Sequence, residues 1–232
     1  MASWGFAHIG RTGLFIEDPY EKGKYHPMIG ALQSEEFTFL THAEQESFKI
    51  LHHKYFYERH NEFWYNNAMR KLQQLIASTN MLTCGEDLGM LNESVSRCMN
   101  NLKILSLELQ IMPKECGVKL GNPKRYPYLS VCTTSTHDCE TLRIWLGAHN
   151  GTTDATPEQC LEVLKKNLAS PSMLAIFPLQ DWLSIDGTLR KSDPASERIN
   201  IPVVADHYWK YRMHITVEEL LAATALNEKI KE

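Results

Sequence analysis

The 232-residue sequence has no apolar run long enough to cross a bilayer, so no transmembrane helix and no membrane partner are expected. Its first residues, Met1-Ala2-Ser3-Trp4-Gly5-Phe6-Ala7-His8, lack a basic start and a long apolar core, which argues against a secretory signal. The six cysteines, Cys84, Cys98, Cys116, Cys132, Cys139 and Cys160, form no C-x-x-C pair, so a zinc or redox motif is not expected. Without a signal, a reduced cytoplasmic setting follows, and the sequons at Asn92 and Asn150 carry no meaning there. A basic cluster is also missing. The 24 Lys and Arg residues are scattered among 28 Asp and Glu, and the formal net charge is -4. Phosphate binding needs a clustered basic face, so no nucleic-acid partner is expected. There is no G-x-G-x-x-G or P-loop pattern, hence no support for nucleotide binding, and neither a cofactor nor a metal is called for. Finally, no Pro/Gly/Ser linker, charge block or short repeat divides the chain, and residues 1–232 read as a single domain.

What is present is an alternation. Thr41 and Glu44 form a capping box ahead of a long helix over Ala43 to Ser78, with Phe48, Leu51, Tyr55, Phe63, Ala68, Leu72 and Leu75 at roughly helical spacing. A short apolar run, Met81 to Cys84, leads into Gly85-Glu86-Asp87-Leu88-Gly89, and a helix follows over Glu93 to Leu102. The next run is Ile104 to Leu109. After a Pro/Gly-rich loop comes Tyr128 to Thr134, ending in Ser135-Thr136-His137-Asp138, with a helix beginning near Glu140. Thr156 with Pro157 opens another helix. Met173 to Phe177 is the last strand, ending in Pro178-Leu179-Gln180-Asp181, and Thr216 with Glu219 caps the C-terminal helix. Four strands, each separated by helical material, imply a parallel sheet in an α/β fold. They fit half of an eight-stranded barrel or a small open sheet, and pattern does not choose between them.

Three of the four strands run into acidic residues: Glu86-Asp87, Asp138 and Asp181. In parallel β/α folds ligands bind at the carboxyl ends of strands, so these side chains converge on one site. Two carboxylates flanking a glycosidic bond are what glycosyl transfer needs: one protonates the leaving oxygen, the other handles positive charge at the anomeric carbon. The competing reading makes Asp87 or Asp138 the cap of a following helix. His137 beside Asp138 is a structural histidine or a donor to a sugar hydroxyl. A nucleophile built from Cys132 or Cys139 with His137 is a further alternative, although Cys132 lies in an apolar run and reads as packed.

At these residues the chain resembles a known family. Cys84-Gly85-Glu86-Asp87-Leu88-Gly89 resembles the E-D-L-G motif of 4-α-glucanotransferases (amylomaltases and disproportionating enzymes). Ser135-Thr136-His137-Asp138 resembles their T/S-x-H-D segment. The stretches Ala169 to Met173, Phe177 to Asp181, Glu197-Arg198-Ile199-Asn200 and His207 to Arg212 match in the same order. The wording is most similar to the larger, plant-cytosolic-like and bacterial branch. The resemblance implies the C-terminal half of a (β/α)8 TIM-type barrel of the α-amylase clan, covering strands five to eight. It implies retaining transfer of an α-1,4-glucan segment to the 4-hydroxyl of glucose or another glucan, with maltose, maltodextrin or another α-glucan as ligand. Glu86 matches the general acid/base and Asp138 the transition-state-stabilising carboxylate. His137, Asp87, Gln180 and Asn200 match substrate-binding positions. Trp182, Tyr208 and Trp209 are aromatics able to stack on sugar faces or to pack the C-terminal helix. A partly buried Glu86, or one beside another carboxylate, is the expected environment.

Two departures stand against the resemblance. The family's nucleophile is an Asp in an Arg-x-Asp-His segment, and these 232 residues contain none. Asp18, in Glu17-Asp18-Pro19, matches an ordinary family segment and does not replace it. The chain is therefore expected to be inactive alone, with a missing N-terminal half as its partner. A non-catalytic glucan-binding or regulatory remnant and a hydrolase of the same clan are the alternatives. Second, Tyr25-His26-Pro27-Met28-Ile29 has Met28 where an Arg is the usual family residue.

Overall fold

In a computed structural model, residues 13–231 are described apart from Met90, Cys116 and Tyr208. The sequon, cap and motif positions above fall inside that range, except Tyr208 of the His207 to Arg212 stretch. The N-terminal stretch 1–12, Cys116 and the proposed stacking residue Tyr208 lie outside it. The described residues divide into two compact units. One runs to Met81 and resumes over Leu91–Leu102; the other comprises Leu82–Met90 and the chain from Lys103 onward.

The first unit opens with an antiparallel hairpin of β1 (Phe15–Glu17) and β2 (Tyr25–Pro27), with Ile16 opposite His26. Asp18 shapes its turn by accepting from the Tyr20 and Glu21 amides, and its other oxygen pairs with His26 Nε2 at 2.7 Å. Those bonds, the His26 one first, hold the Asp18 carboxyl down at about 2. Asp18 is thus a turn residue of this hairpin. Helix α1 (Glu35–Thr38) is followed by α2 (His42–His53), a π-helical stretch (Lys54–Arg59) and α3 (His60–Ala77). The expected long helix is present and begins at the expected capping box, where Thr41 and Glu44 exchange bonds. The π stretch in its middle is new: a wider turn re-phases the side chains that follow, and no feature of the sequence announces it. Met28 packs on the small apolar cluster of Ala31, Phe37 and Phe48. Its place is structural within this unit. Helix α4 (Glu93–Leu102), at the expected bounds, lies along α3 through Arg97–Glu62 and Asn101–Tyr65 contacts.

The second unit holds a parallel sheet of β3 (Ser106–Leu109), β4 (Ser130–Thr133) and β5 (Leu174–Ala175), in that order. Register pairs Leu107 with Val131 and Cys132 with Ala175. The run Met81 to Cys84, expected as a buried strand, is corrected to one parallel bridge, Cys84 to Leu105, with Met81 76% and Leu82 54% exposed. Only Thr83 and Gly85 add backbone bonds to Leu105 there. The four expected strand segments nevertheless stand side by side in chain order. Between β4 and β5 run α5 (Leu142–His149) and α6 (Pro157–Leu168), the latter starting at the expected Thr156 box with Pro157 in its first turn. The expected helical material between every pair of strands is corrected for β3–β4, where the Pro/Gly-rich connection holds among the described residues only the 3-10 turn Pro123–Arg125.

After β5 come α7 (Leu179–Leu183), α8 (Val217–Ala222) and α9 (Thr224–Lys231). The Thr216–Glu219 box is formed as expected, but the C-terminal helix breaks at Ala223 into two. The core lies where α5, α6, α7 and α9 meet β4, around Cys132, Leu142, Leu164, Leu183, Ile185 and Leu226. Cys132 is fully buried there, as its apolar run indicates. No helix among the described residues is long and apolar enough to cross a membrane.

Candidate active site

The site is built at the carboxyl end of β4. The strand buries all four of its residues, and the chain then turns through Thr134 to Thr141 before α5 begins. His137 and Asp138 sit at the outer part of that turn. Asp138 is partly exposed. One of its carboxylate oxygens accepts from Asn200 Nδ2 at 2.7 Å and the other lies 3.0 Å from His137 Nε2. The exposed indole of Trp209 lies against the His137 ring, centroid to centroid 5.3 Å. Four side chains separated by up to 72 positions thus share one small patch: an anionic oxygen pair, an imidazole, an amide and an aromatic face. Beside it Arg198 reaches Glu140 at 3.5 Å.

Glu86 follows the Cys84 bridge by two residues and is exposed, so of the two expected environments partial burial is not found. Its neighbour Asp87 is the buried carboxylate of that turn. Asp87 Oδ1 accepts from the Leu107 amide of β3 at 2.8 Å, and Oδ2 takes Lys114 Nζ at 2.7 Å. Lys114 also bonds Glu108. Asp87 therefore ties the Glu86 turn to the neighbouring strand. Gly89, which closes the motif, has φ +92°, a conformation that L side chains rarely adopt. Lys114 carries no signal in the sequence, because the pairing joins residues 27 positions apart across a loop.

Gln180 is buried in α7 and Asp181 beside it is fully buried. Asp181 joins no open patch; burial pushes its carboxyl above the usual range. Trp182 packs on Phe177 at 5.5 Å against the core, the packing alternative for that residue, whereas Trp209 belongs to the Asp138 patch. Cys139 is held inside the turn, its sulfur receiving the Thr136 amide. Burial raises both Cys139 and Cys160 thiols, the latter to about 11. Neither is poised as a thiolate nucleophile.

Behind the patch lies a charged hub. Arg143, buried in α5, bonds Asp154, Glu197 and the Lys191 carbonyl. Arg143 holds Asp154 below its usual range, while burial raises Glu197 despite the same partner. The hub fixes the segment that leads from Glu197 to Asn200.

Parallel strands covered by helices, with polar and acidic side chains gathered at the carboxyl end of the middle strand, define an α/β protein with a candidate site where such folds bind ligands. A sequence profile of glycoside hydrolase family 77, described as 4-alpha-glucanotransferase, matches residues 17–217. The chain belongs to this family. Among its relatives, 4-alpha-glucanotransferase DPE2 of Oryza sativa subsp. japonica is 33% identical over 246 residues, covering 96% of this chain and 26% of the rice protein. The 4-alpha-glucanotransferase of Chlamydia muridarum (strain MoPn / Nigg) is 29% identical over 172 residues, 67% of this chain and 33% of the bacterial one. That of Chlamydia trachomatis serovar D is 27% identical over 188 residues, again 33% of its length. The chain thus spans a quarter to a third of the length of these curated relatives.

Proposed function

We propose that this chain supplies two of the three carboxylates of a retaining 4-α-glucanotransferase, in a barrel completed by residues outside it. Residues 1–232 would then be part of one catalytic (β/α)8 domain, contributing strands five to eight. The observation that carries the reading is the Asp138 patch: an ionisable carboxylate oriented by Asn200 and His137, beside an exposed indole, at a strand's carboxyl end. Carboxylate, amide and imidazole bind sugar hydroxyls, and the indole offers an apolar face to a pyranose ring. The segment carrying Glu86 is two strands away from β4. Two strand spacings are about 10 Å, a span that the two side chains and one sugar ring can bridge.

In this reading Glu86 donates its proton to the leaving glycosidic oxygen while the anomeric carbon bonds to the nucleophile. Glu86 then takes the proton of the acceptor 4-hydroxyl as that oxygen displaces the nucleophile. Asp138 binds ring hydroxyls more tightly as positive charge develops at the anomeric carbon. Asp87 holds the Glu86 turn, and Gln180 and Asn200 flank the donor sugar. Maltose or maltodextrin is the substrate class, and a cytoplasmic setting belongs to the same proposal. Free thiols at Cys84, Cys98, Cys132, Cys139 and Cys160 accord with it.

One observation favours a second reading, a glucan-binding chain without turnover: the 232 residues contain no Arg-x-Asp-His segment. Incubation with maltotriose separates the readings. The chain alone is expected to bind maltotriose, to lose that binding on Asp138→Ala, and to form neither glucose nor longer maltodextrins. Adding a polypeptide with the nucleophile segment should produce glucose together with longer products. Glucose alone from that mixture would indicate a hydrolase. No product of any kind would leave the binding reading in possession.

A further inference from the structure

We infer that Asp181 is a positioning residue for the Asp138 turn, holding both ends of that turn with one carboxylate. The inference rests on the reading of Asp138 given above. Asp181 Oδ2 accepts from Thr134 Oγ1 and from Ser135 Oγ, each at 2.6 Å, and Oδ1 accepts from the Leu142 amide at 2.9 Å. Thr134 and Ser135 directly follow β4, and Leu142 is the first residue of α5. Residues 136–141, with His137 and Asp138 among them, are therefore strung between two points fastened to the same group.

Local bonds, from the Cys139 amide to the Thr136 carbonyl and from the Asp138 amide to Thr136 Oγ1, shape the turn but leave the start of α5 uncapped. The first amides of a helix have no intrahelical acceptor, and Thr141 at the N-cap position makes no side-chain cap bond. Its hydroxyl has no partner among the described residues. Asp181 supplies the missing acceptor from α7, 39 positions further along. A negative group at that helix end is also favoured by the helix dipole. A carboxylate without solvent exposure is costly unless several donors compensate it, and here its donors among the described residues belong to the turn or to the first residue of α5. Inside the turn, Trp145 Nε1 donates to the Thr134 carbonyl and the Thr136 amide to Cys139 Sγ. The first of these also ties α5 to the strand end, and the second lies within the turn. Asp181 adds to them the tie that reaches the first residue of α5, and so sets where the turn carrying Asp138 begins and ends.

The test uses the whole chain with Asp181→Ala and Asp181→Asn, read by hydrogen exchange and by maltotriose titration. Asn keeps the shape and the acceptor for Leu142, and its amide can donate to hydroxyls that rotate to receive it. Asp181→Ala removes all three bonds and should quicken amide exchange over 136–141 about tenfold or more. Amides of β3 and α6 should keep their rates, and Asp181→Asn should restore slow exchange in the turn. Maltotriose affinity should fall with Asp181→Ala and return with Asp181→Asn. Uniform acceleration across the unit, or an unchanged turn, overturns the clamp. If Asp181→Ala fails to fold, Ser135→Ala removes one of the three bonds and is read the same way, with about threefold acceleration expected. If Asp138→Ala leaves maltotriose binding intact, the sugar-site reading fails, while the exchange data still decide the clamp.

Discussion

At the scale of single residues, the second unit is organised by buried charges whose partners lie far away in sequence. Arg143 and Glu197 are both 1% exposed and bonded to each other, while Glu197 Oε2 has no partner among the described residues. Arg143→Met would leave Glu197 buried without its counter-charge, and a loss of about 3–5 kcal/mol is expected, measurable by urea unfolding. Asp181 offers a pH test of opposite sign to the usual carboxylate. Burial raises its folded pKa above the model-compound 3.8, so the folded state holds the proton more tightly than the unfolded chain. Stability from this group is therefore complete below 3.8 and declines as pH rises through that value toward the folded pKa. Melting temperatures of wild type relative to Asp181→Asn should fall as pH is raised from 3.8 upward. Asp154 has the other sign: held low by Arg143, it stabilises above 3.8 and loses that contribution as pH drops toward its folded pKa. Wild type should thus show a shallow acid limb that Asp154→Asn lacks.

At the scale of elements, caps and close approaches decide where helices start and how near they come. The boxes at Thr41, Thr156 and Thr216 were readable because each is a local pattern of four residues. The crossing of α5 with the 150s loop was not. An added Cβ at Gly147 would lie 2.7 Å from the Asp154 amide nitrogen and 2.9 Å from its carbonyl carbon. Both are backbone atoms that cannot swing away. Gly147→Ala should destabilise by about 1–3 kcal/mol through overpacking, although alanine favours an isolated helix by about 1 kcal/mol. Chemical denaturation of the variant checks which effect wins. Likewise the weak Met81–Cys84 segment followed apolar content that looks like a strand, yet its side chains have little to pack on within this unit.

At the scale of the whole chain, sheet edges matter. Among the described residues β5 pairs on one side only, and Ile176 next to it is 59% exposed. Val203 and Trp209 are exposed as well. A parallel edge with apolar neighbours invites pairing with another chain. Sedimentation should show concentration-dependent association of the isolated chain, reduced by Ile176→Lys, since a charge on an edge opposes it. A strictly monomeric distribution up to high concentration would contradict this expectation.

The parallel class of the sheet, the helix caps and the acids that follow the apolar runs, Glu86, Asp87, Asp138 and Asp181, were determined by sequence alone, because short-range periodicity and turn chemistry fix them. How each acid is placed was decided only in three dimensions. Asp138 faces out with Asn200, 62 positions away, while Asp181 is sealed beneath the same turn and Asp87 is bound to Lys114. Burial and pairing distinguish chemically identical carboxylates, and both come from contacts between residues that no local pattern relates.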